Sequence, residues 1–490
     1  MASTTARRGG YRRVVSVLVV VAVLAVVAAA CRPRHQLPGG PGIAGQLAPL
    51  SHSGRWFTDA TGRVVLLHGV NDVEKAAPYY PAAYGFDDDD AAFLASQGFT
   101  VLRLGVPFVG LMPEPGQIDE QYIDHIASTV QVFARHHIFV VLDFHQDGFS
   151  PLFNGNGFPD WMAITDGLPN PPDAVFPLYY VQNPAMQRAF EHFWANSPGP
   201  EGVGLQDWFF RGFSEVVRHF AGNPWVLGYE PINEPWPGSN WAPCAGATGC
   251  PDLEAQLLKP FYERATAAVR RYDGRQFVFP EPFVLFNFGQ GPTTVPGFPS
   301  AQNALSFHSY ALDATSETNV VRFAVQAGES QQIPILATEF GATLDVPTLD
   351  RLTGEMDAGI APWIEWSYDG LVKDTAAPAG YANMLSPAAF TAIVRPYPLA
   401  VAGTPTSLSF DPAGNVFDFS YSTNRPDGRR SPFELLTSVS VPEVRYPSGY
   451  TATVSGATVV SRPCARTLLL RNALLASDVS VHVTPGGACR

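Results

Sequence analysis

The sequence predicts an α/β fold, a (β/α)8 barrel of the TIM type, followed by a small all-β domain of the sandwich kind. Three observations carry this reading. Eight short apolar runs alternate with helix-compatible stretches, which indicates a closed parallel barrel. Two of those runs end on a glutamate, in Asn233-Glu234-Pro235 and Thr338-Glu339-Phe340-Gly341, and such barrels present their reactive groups at strand C-terminal ends. After about residue 398 the alternation stops, and apolar residues recur with a period of two.

The elements follow in order along the chain. Residues 1–31 read as an export signal: Arg7, Arg8, Arg12 and Arg13 precede an apolar run, 14–30, broken only by Ser16. Cys31 sits where a bacterial lipoprotein signal places its lipid-bearing cysteine. Cleavage after Ala30 and an uncleaved anchor are the alternatives, and all three put the folded body outside the cytoplasm. Residues 32–50, with Pro38-Gly39-Gly40-Pro41-Gly42, form a tether. The barrel domain spans 51–398, with strands expected at 64–67, 100–104, 138–144, 226–229, 277–279, 304–307, 333–337 and 362–366. Between the second and third, Tyr122, Ile123, Ile126, Val130 and Phe133 fall at helical spacing and define a face that packs on the sheet. Asp87 to Asp90 complement a helix N-terminus rather than hold a metal.

The β domain spans 399–490, with period-two residues Leu408 and Phe410; Phe417, Phe419 and Tyr421; Val439 and Val441; Val479, Val481 and Val483. Cys244 with Cys250, and Cys464 with Cys489, are the simplest disulfide pairs, although four cysteines allow three connectivities. No CxxC pair or neighbouring histidine makes them a zinc site.

The net charge of −13 over 490 residues excludes nucleic acid as a partner, since a phosphate-tracking surface needs a basic stripe. What remains is the chemistry of the two strand-end glutamates. Hydrolysis of a glycosidic bond with retention needs one protonated carboxyl to release the leaving oxygen and one ionised carboxyl to attack the sugar. Glu234 and Glu339 fit those parts, and no cofactor or metal is called for. Asn233 offers an amide to the sugar 2-hydroxyl. Arg103 can pair with the glutamate that stays ionised. His145 and Asp147 offer donors and acceptors for sugar hydroxyls, His308 and Tyr310 can hold the nucleophile, and Trp366 can form an aromatic floor under a pyranose. Glu230 is left without an assigned part, and Glu281, in Pro280-Glu281-Pro282, can line the cleft without being catalytic.

These motifs resemble glycoside hydrolase family 5, in the clan whose acid/base follows asparagine on the fourth barrel strand and whose nucleophile ends the seventh. The likeness runs from His68-Gly69-Val70-Asn71 to Trp366. Within that family the chain is similar to the endoglycoceramidases, through 71–75 with Pro78-Tyr79, 98–105, Asp143-Phe144-His145-Gln146-Asp147 and 233–238. The resemblance implies Glu234 as acid/base and Glu339 as nucleophile. It implies sugar-contacting or supporting positions at Lys75, Asp143, His145, Asp147, Asn233, Tyr310 and Trp366. The segment after Trp366, Ser367-Tyr368-Asp369-Gly370, departs from that pattern.

The expected substrate is a glycolipid or other β-glycoside, met in solution or at a membrane surface, with no obligate protein partner. Two aromatic-rich stretches agree with a lipid aglycone: 148–200, carrying Phe149, Phe153, Phe158, Trp161, Phe176, Tyr179 and Tyr180, and 283–298, carrying Phe283, Leu285, Phe286, Phe288 and Phe298. The plainer reading is that these rings pack long loops onto the barrel. Two rival functions stand beside the glycolipid hydrolase. One is a family relative acting on a β-glucan or other β-glucoside. The other is a non-catalytic surface protein that binds glycans or lipids, which has no need of both carboxyls.

Overall fold

The computed structural model describes residues 47–487 and 489, apart from 174–175, 300, 369–372 and 374–376. The expected export signal, Cys31 and most of the tether lie outside the described residues. Among the described residues no helix is long and apolar enough to cross a membrane.

Three short strands come first: β1 (Ser51–Ser53), β2 (Trp56–Thr58) and β3 (Val64–Val65). Eight parallel strands follow, β4 (His68–Asp72), β5 (Val101–Gly105), β6 (Phe139–Asp143), β7 (Val226–Glu230), β8 (Phe277–Val278), β9 (Leu305–Ser309), β10 (Ile335–Phe340) and β11 (Trp363–Glu365). They form one sheet in the order β8-β7-β6-β5-β4-β11-β10-β9. Its edges meet where the Val278 N–H donates to the Gln302 carbonyl (3.0 Å) and the Ala304 N–H donates to the Val278 carbonyl (2.9 Å), closing the barrel.

The period of two along each strand explains how one barrel holds both a core and a site. At the N-terminal end, Val101, Phe139, Val141, Leu227, Phe277, Leu336 and Ile364 form an apolar plug with Phe57 and Leu67. One inward step further along the same faces, the residues become Arg103, Asp143, Ser306, Thr338 and Trp366. Outward residues such as Leu102, Val140 and Leu142 pack under the helices. The helix Glu120–Arg135 buries Tyr122, Ile123, Ile126, Val130 and Phe133, as their spacing requires. Asp87 caps the helix Asp88–Gln97 in a capping box with Asp90, so that acidic run serves a helix start.

The first barrel strand is not 64–67. β3 pairs antiparallel with β2 and with β12 (Tyr397–Val401), and the barrel begins at β4. Val64 and Leu66 face one core while Val65 and Leu67 face another, so this run is apolar on both sides exactly as a barrel strand would be, and periodicity cannot separate the two.

The remaining strands are β13 (Thr404–Asp411), β14 (Val416–Ser422), β15 (Leu436–Ser440), β16 (Tyr450–Ser455), β17 (Ala457–Val459), β18 (Thr467–Asn472) and β19 (Asp478–Pro485). A four-stranded sheet, β13-β14-β19-β16, and a seven-stranded sheet, β1-β2-β3-β12-β15-β18-β17, share one core. The period-two residues Leu408, Phe410, Phe417, Phe419, Tyr421, Val439, Val441, Val479, Val481 and Val483 all lie in it. Disulfides join Cys244 to Cys250 and Cys464 to Cys489.

Candidate active site

Arg103, on β5, is fully buried at the centre of the polar end of the barrel. Its guanidinium donates to Glu339 Oε1 (2.5 Å), Glu230 Oε2 (2.6 Å), Asn233 Oδ1 (2.6 Å) and Asn71 Oδ1 (3.0 Å), and lies 3.1 Å from Asp143 Oδ2. A planar fork with five N–H groups suits such a hub, and a lysine could not span it. Glu339, at the end of β10, accepts a second bond from the Tyr310 hydroxyl at Oε2 (2.8 Å). One oxygen is thus bound to a cation and the other to a phenol, which fixes the orientation of the carboxylate.

Glu234 lies in the segment after β7, with a left-handed backbone (φ 41°). Non-glycine residues adopt that conformation only where their surroundings hold them there. The Glu234 N–H donates to Glu281 Oε2 (2.8 Å), and the carbonyls of Asn233 and Glu234 accept from Gln146 Nε2 (2.7 and 3.1 Å). Its side-chain Oε1 accepts from Asn287 Nδ2 (2.7 Å) and lies 3.0 Å from His308 Nδ1. Burial, followed by the Asp147 charge, raises the Glu234 carboxyl to about 7. Burial lowers His308 to about 3, so its ring is neutral beside the two glutamates. Carboxylate oxygens of Glu234 and Glu339 approach within 4.8 Å. Retaining pairs stand about 5–5.5 Å apart and inverting pairs wider, to admit a water, so this close approach favours retention.

The third group surrounds Trp366. Lys75 Nζ bonds Asp147 Oδ2 (2.6 Å) and lies 4.4 Å from the Trp366 ring centre, while the His145 ring stacks on Trp366 at 5.5 Å. His145 is held at both nitrogens, by Asp143 Oδ2 (2.7 Å) and Asp147 Oδ2 (3.2 Å). Burial works against its cation, but Asp143 and Asp147 outweigh that and raise it to about 9. A cavity of about 610 Å³ joins these groups, lined by Lys75, Asp147, Glu234, Tyr310, Glu339 and Trp366. The same cavity has apolar lining from Phe176, Leu178, Val181, Val284, Leu285 and Phe288.

Residues 58–369 match the family model described as cellulase (glycosyl hydrolase family 5), and 395–484 match the glycoside hydrolase family 5 C-terminal domain. The chain belongs to glycosyl hydrolase family 5. It is 30% identical to endoglycoceramidase I of Rhodococcus hoagii over 445 residues, covering 86% of this chain and 85% of that one. It is likewise 30% identical to an endoglycoceramidase of Hydra vulgaris, over 74% of this chain and 76% of the other. Endo-glycoceramidase II from Rhodococcus sp., solved as a lactosyl-enzyme intermediate, superposes with a TM-score of 0.68 at 27% identity, covering 89% of this chain and 100% of that one.

In this family 5 barrel the expected residues gather at one place, but in two layers. Lys75, Asp147, Glu234, Tyr310, Glu339 and Trp366 reach the cavity, whereas Arg103, Asp143, His145, Asn233 and His308 lie behind them. Asp143 Oδ2 and both nitrogens of His145 are engaged with each other, Arg103 and Asp147, and Asp143 Oδ1 is buried without a partner, so these two side chains brace the wall from behind. His308 lies closer to Glu234 (3.0 Å) than to Glu339 (3.6 Å), so Tyr310 alone of that pair hydrogen-bonds the expected nucleophile. Glu281, expected to line the cleft, is instead fully buried behind it with Oε2 on the Glu234 N–H, because the prolines on either side fix its backbone and the barrel closes over it. The sequence assigns Asn287 and Gln146 no role: Gln146 lies inside the 143–147 motif, but Asn287 sits among phenylalanines with no local signal.

The aromatic stretches divide in the same way. Phe149, Phe153, Phe158 and Phe283 are buried packing residues, Trp161 is tied to Pro113, and Tyr179 and Tyr180, though buried, line the cavity. Phe176, Leu178 and Val181 stand 61%, 51% and 41% exposed at the cavity mouth.

Proposed function

We propose that this protein is a retaining endoglycoceramidase-type hydrolase that releases the glycan from a ceramide-linked glycolipid. The observation that carries the proposal is the single cavity with two chemistries. Two carboxyls within 4.8 Å of each other lie where a lysine–aspartate pair and a tryptophan give way to an apolar wall. An amphipathic substrate has the same division, with its scissile bond at the boundary. A soluble β-glucan would need sugar-binding groups on both sides of the carboxyls.

Glu234, which holds its proton up to about pH 7, donates it to the glycosidic oxygen as the bond to C1 breaks, and Glu339 attacks C1 to form a glycosyl ester. The ceramide leaves as an alcohol. Glu234, now ionised, takes a proton from water, which attacks C1 and frees Glu339. Asn233, held by Arg103 and Gln146 behind the cavity lining, braces the segment that carries Glu234. Lys75 and Asp147 take further hydroxyls over the Trp366 ring. Exposed Leu152, Phe176, Leu178, Leu312 and Leu344, all on loops that follow barrel strands, support access to substrate at a lipid surface. The two disulfides support an extracytoplasmic address.

The test is a panel of fluorescent glycosphingolipids and β-glucans assayed for release of intact glycan. Cleavage is expected on the former, with the β-anomer as first product. Glu339→Ala is expected to abolish it with the melting temperature preserved. Preference for a β-glucan, or an initial α-anomer, refutes the reading.

A further inference from the structure

Glu281 is a buried carboxyl that the mechanism above does not use. It follows β8 between two prolines, Pro280 and Pro282, each with fixed φ and no N–H. The Tyr262 hydroxyl, from the helix Lys259–Arg270, donates to the Glu281 carbonyl (2.7 Å) and accepts from the Glu281 N–H (3.0 Å). The backbone is thus pinned on both sides. The side chain is wholly inaccessible to solvent, and its Oε2 accepts the N–H of Glu234 (2.8 Å). Its Oε1 makes no hydrogen bond and lies 3.5 Å from His308 Nδ1, the ring nitrogen that also faces Glu234 Oε1 (3.0 Å).

We propose that Glu281 is a positioning residue for Glu234, a neutral carboxyl that clamps the left-handed Glu234 backbone and so aims the acid at the leaving oxygen. The proposal rests on the reading of Glu234 as acid/base.

Three features of the site support it. Left-handed backbone at a glutamate is costly and needs an external hold, and the Glu234 N–H has Glu281 as its acceptor. A carboxylic acid in its neutral form accepts a backbone N–H through its carbonyl oxygen without placing a charge in the interior. The groups facing Glu281 favour that form: Glu230 from β7 and neutral His308 from β9 place ligand atoms within 4.8 Å of its own, Glu234 adjoins it through its N–H, and Arg103 is already shared among other carboxylates. Burial first, and then Glu230 and Glu234, hold the Glu281 carboxyl well above its ordinary value.

The experiment compares two substrates and three variants in the full chain. Glycosylation of the enzyme by a ceramide-linked glycan needs acid assistance, whereas a dinitrophenyl β-glycoside of the same sugar does not, and kcat/KM reports that first step in both. Glu281→Ala is expected to lower kcat/KM on the glycolipid by about tenfold to a hundredfold, the scale of a misplaced catalytic group, with the aryl glycoside within about twofold. Glu281→Gln, which keeps the neutral acceptor, is expected to restore the glycolipid rate to within about threefold and to leave the basic limb of the pH profile in place. Should Glu281→Ala not fold, Glu281→Asp withdraws the acceptor by one methylene and carries the same selective loss.

Equal losses on both substrates would overturn the proposal, as would a wild-type rate for Glu281→Ala. A basic limb moved down by a pH unit or more in Glu281→Gln would mean the carboxyl is charged, which also overturns it. Glu234→Gln is the control: if it fails to show the leaving-group dependence, the assignment of Glu234 has failed independently of Glu281.

Discussion

Arg103, itself wholly buried, touches three carboxylates and two amide oxygens, all of them buried. Removing it leaves several buried acceptors and charges without a partner. Breaking a buried pair in this way costs about 3–5 kcal/mol, more than a surface substitution can. Arg103→Met is therefore expected to lower the urea midpoint markedly and to abolish turnover together; a variant of wild-type stability would show that the hub is dispensable. Its pairing with the nucleophile was legible in the sequence, since an ionised carboxyl at a strand end asks for a cation on a neighbouring strand. Its links to Glu230, Asn71 and Asn233 were not, because they follow from strand register around a closed barrel. Glu234 supplies a second expectation at this scale. Its carboxyl must be protonated for the first step, and burial raises it to about 7. The glycolipid kcat/KM is thus expected to fall as pH rises through about 7. For an aryl glycoside with a good leaving group the same limb should weaken, and an identical limb for both substrates would remove Glu234 from the acid role.

At the scale of elements, the barrel strands were readable because parallel strands covered on both faces are apolar throughout. Seven of the eight runs led to barrel strands, and 64–67 failed because two cores share it. Loops are harder, since aromatic content does not say which rings turn inward. Phe153 is buried among Phe149 and its neighbours, and Phe176 stands in the open, yet the two look alike in sequence. Their substitutions should part company. Phe176→Ser with Leu178→Ser is expected to weaken glycolipid cleavage about tenfold to a hundredfold, from about 1.5–3 kcal/mol of lost apolar contact, at unchanged melting temperature. Rates on a small aryl glycoside should stay nearly normal. Phe153→Ser should instead destabilise the fold by about 3–5 kcal/mol and depress both activities with it. If the exposed pair lowers both activities alike, the cavity's apolar lining has no part in aglycone binding.

For the whole molecule, the seven-stranded sheet ties the β domain to the barrel through strands from both ends of the described chain, with β3 between β2 and β12. Val64, Leu66 and Ile360 lie in the β-domain core although they belong to segments flanking barrel elements. Tyr397 stacks on His68 at 3.7 Å and donates to the Gly98 carbonyl, and Arg445 caps the carbonyls of Thr391, Ala392 and Val394 that end the last barrel helix. The β domain is therefore part of the barrel's floor and flank. A chain ended at residue 394 would return Val64, Leu66 and Ile360 to water, at about 1.5–3 kcal/mol each. Together that approaches the 5–15 kcal/mol that holds an ordinary domain folded. It would also leave β3 with an open edge, which invites pairing with other chains. The truncated protein is expected to be aggregated or to melt without a cooperative transition, and the intact chain is expected to unfold both parts in one step by calorimetry. A soluble truncated barrel with wild-type melting temperature and kcat/KM on an aryl glycoside would show that the two parts are energetically independent.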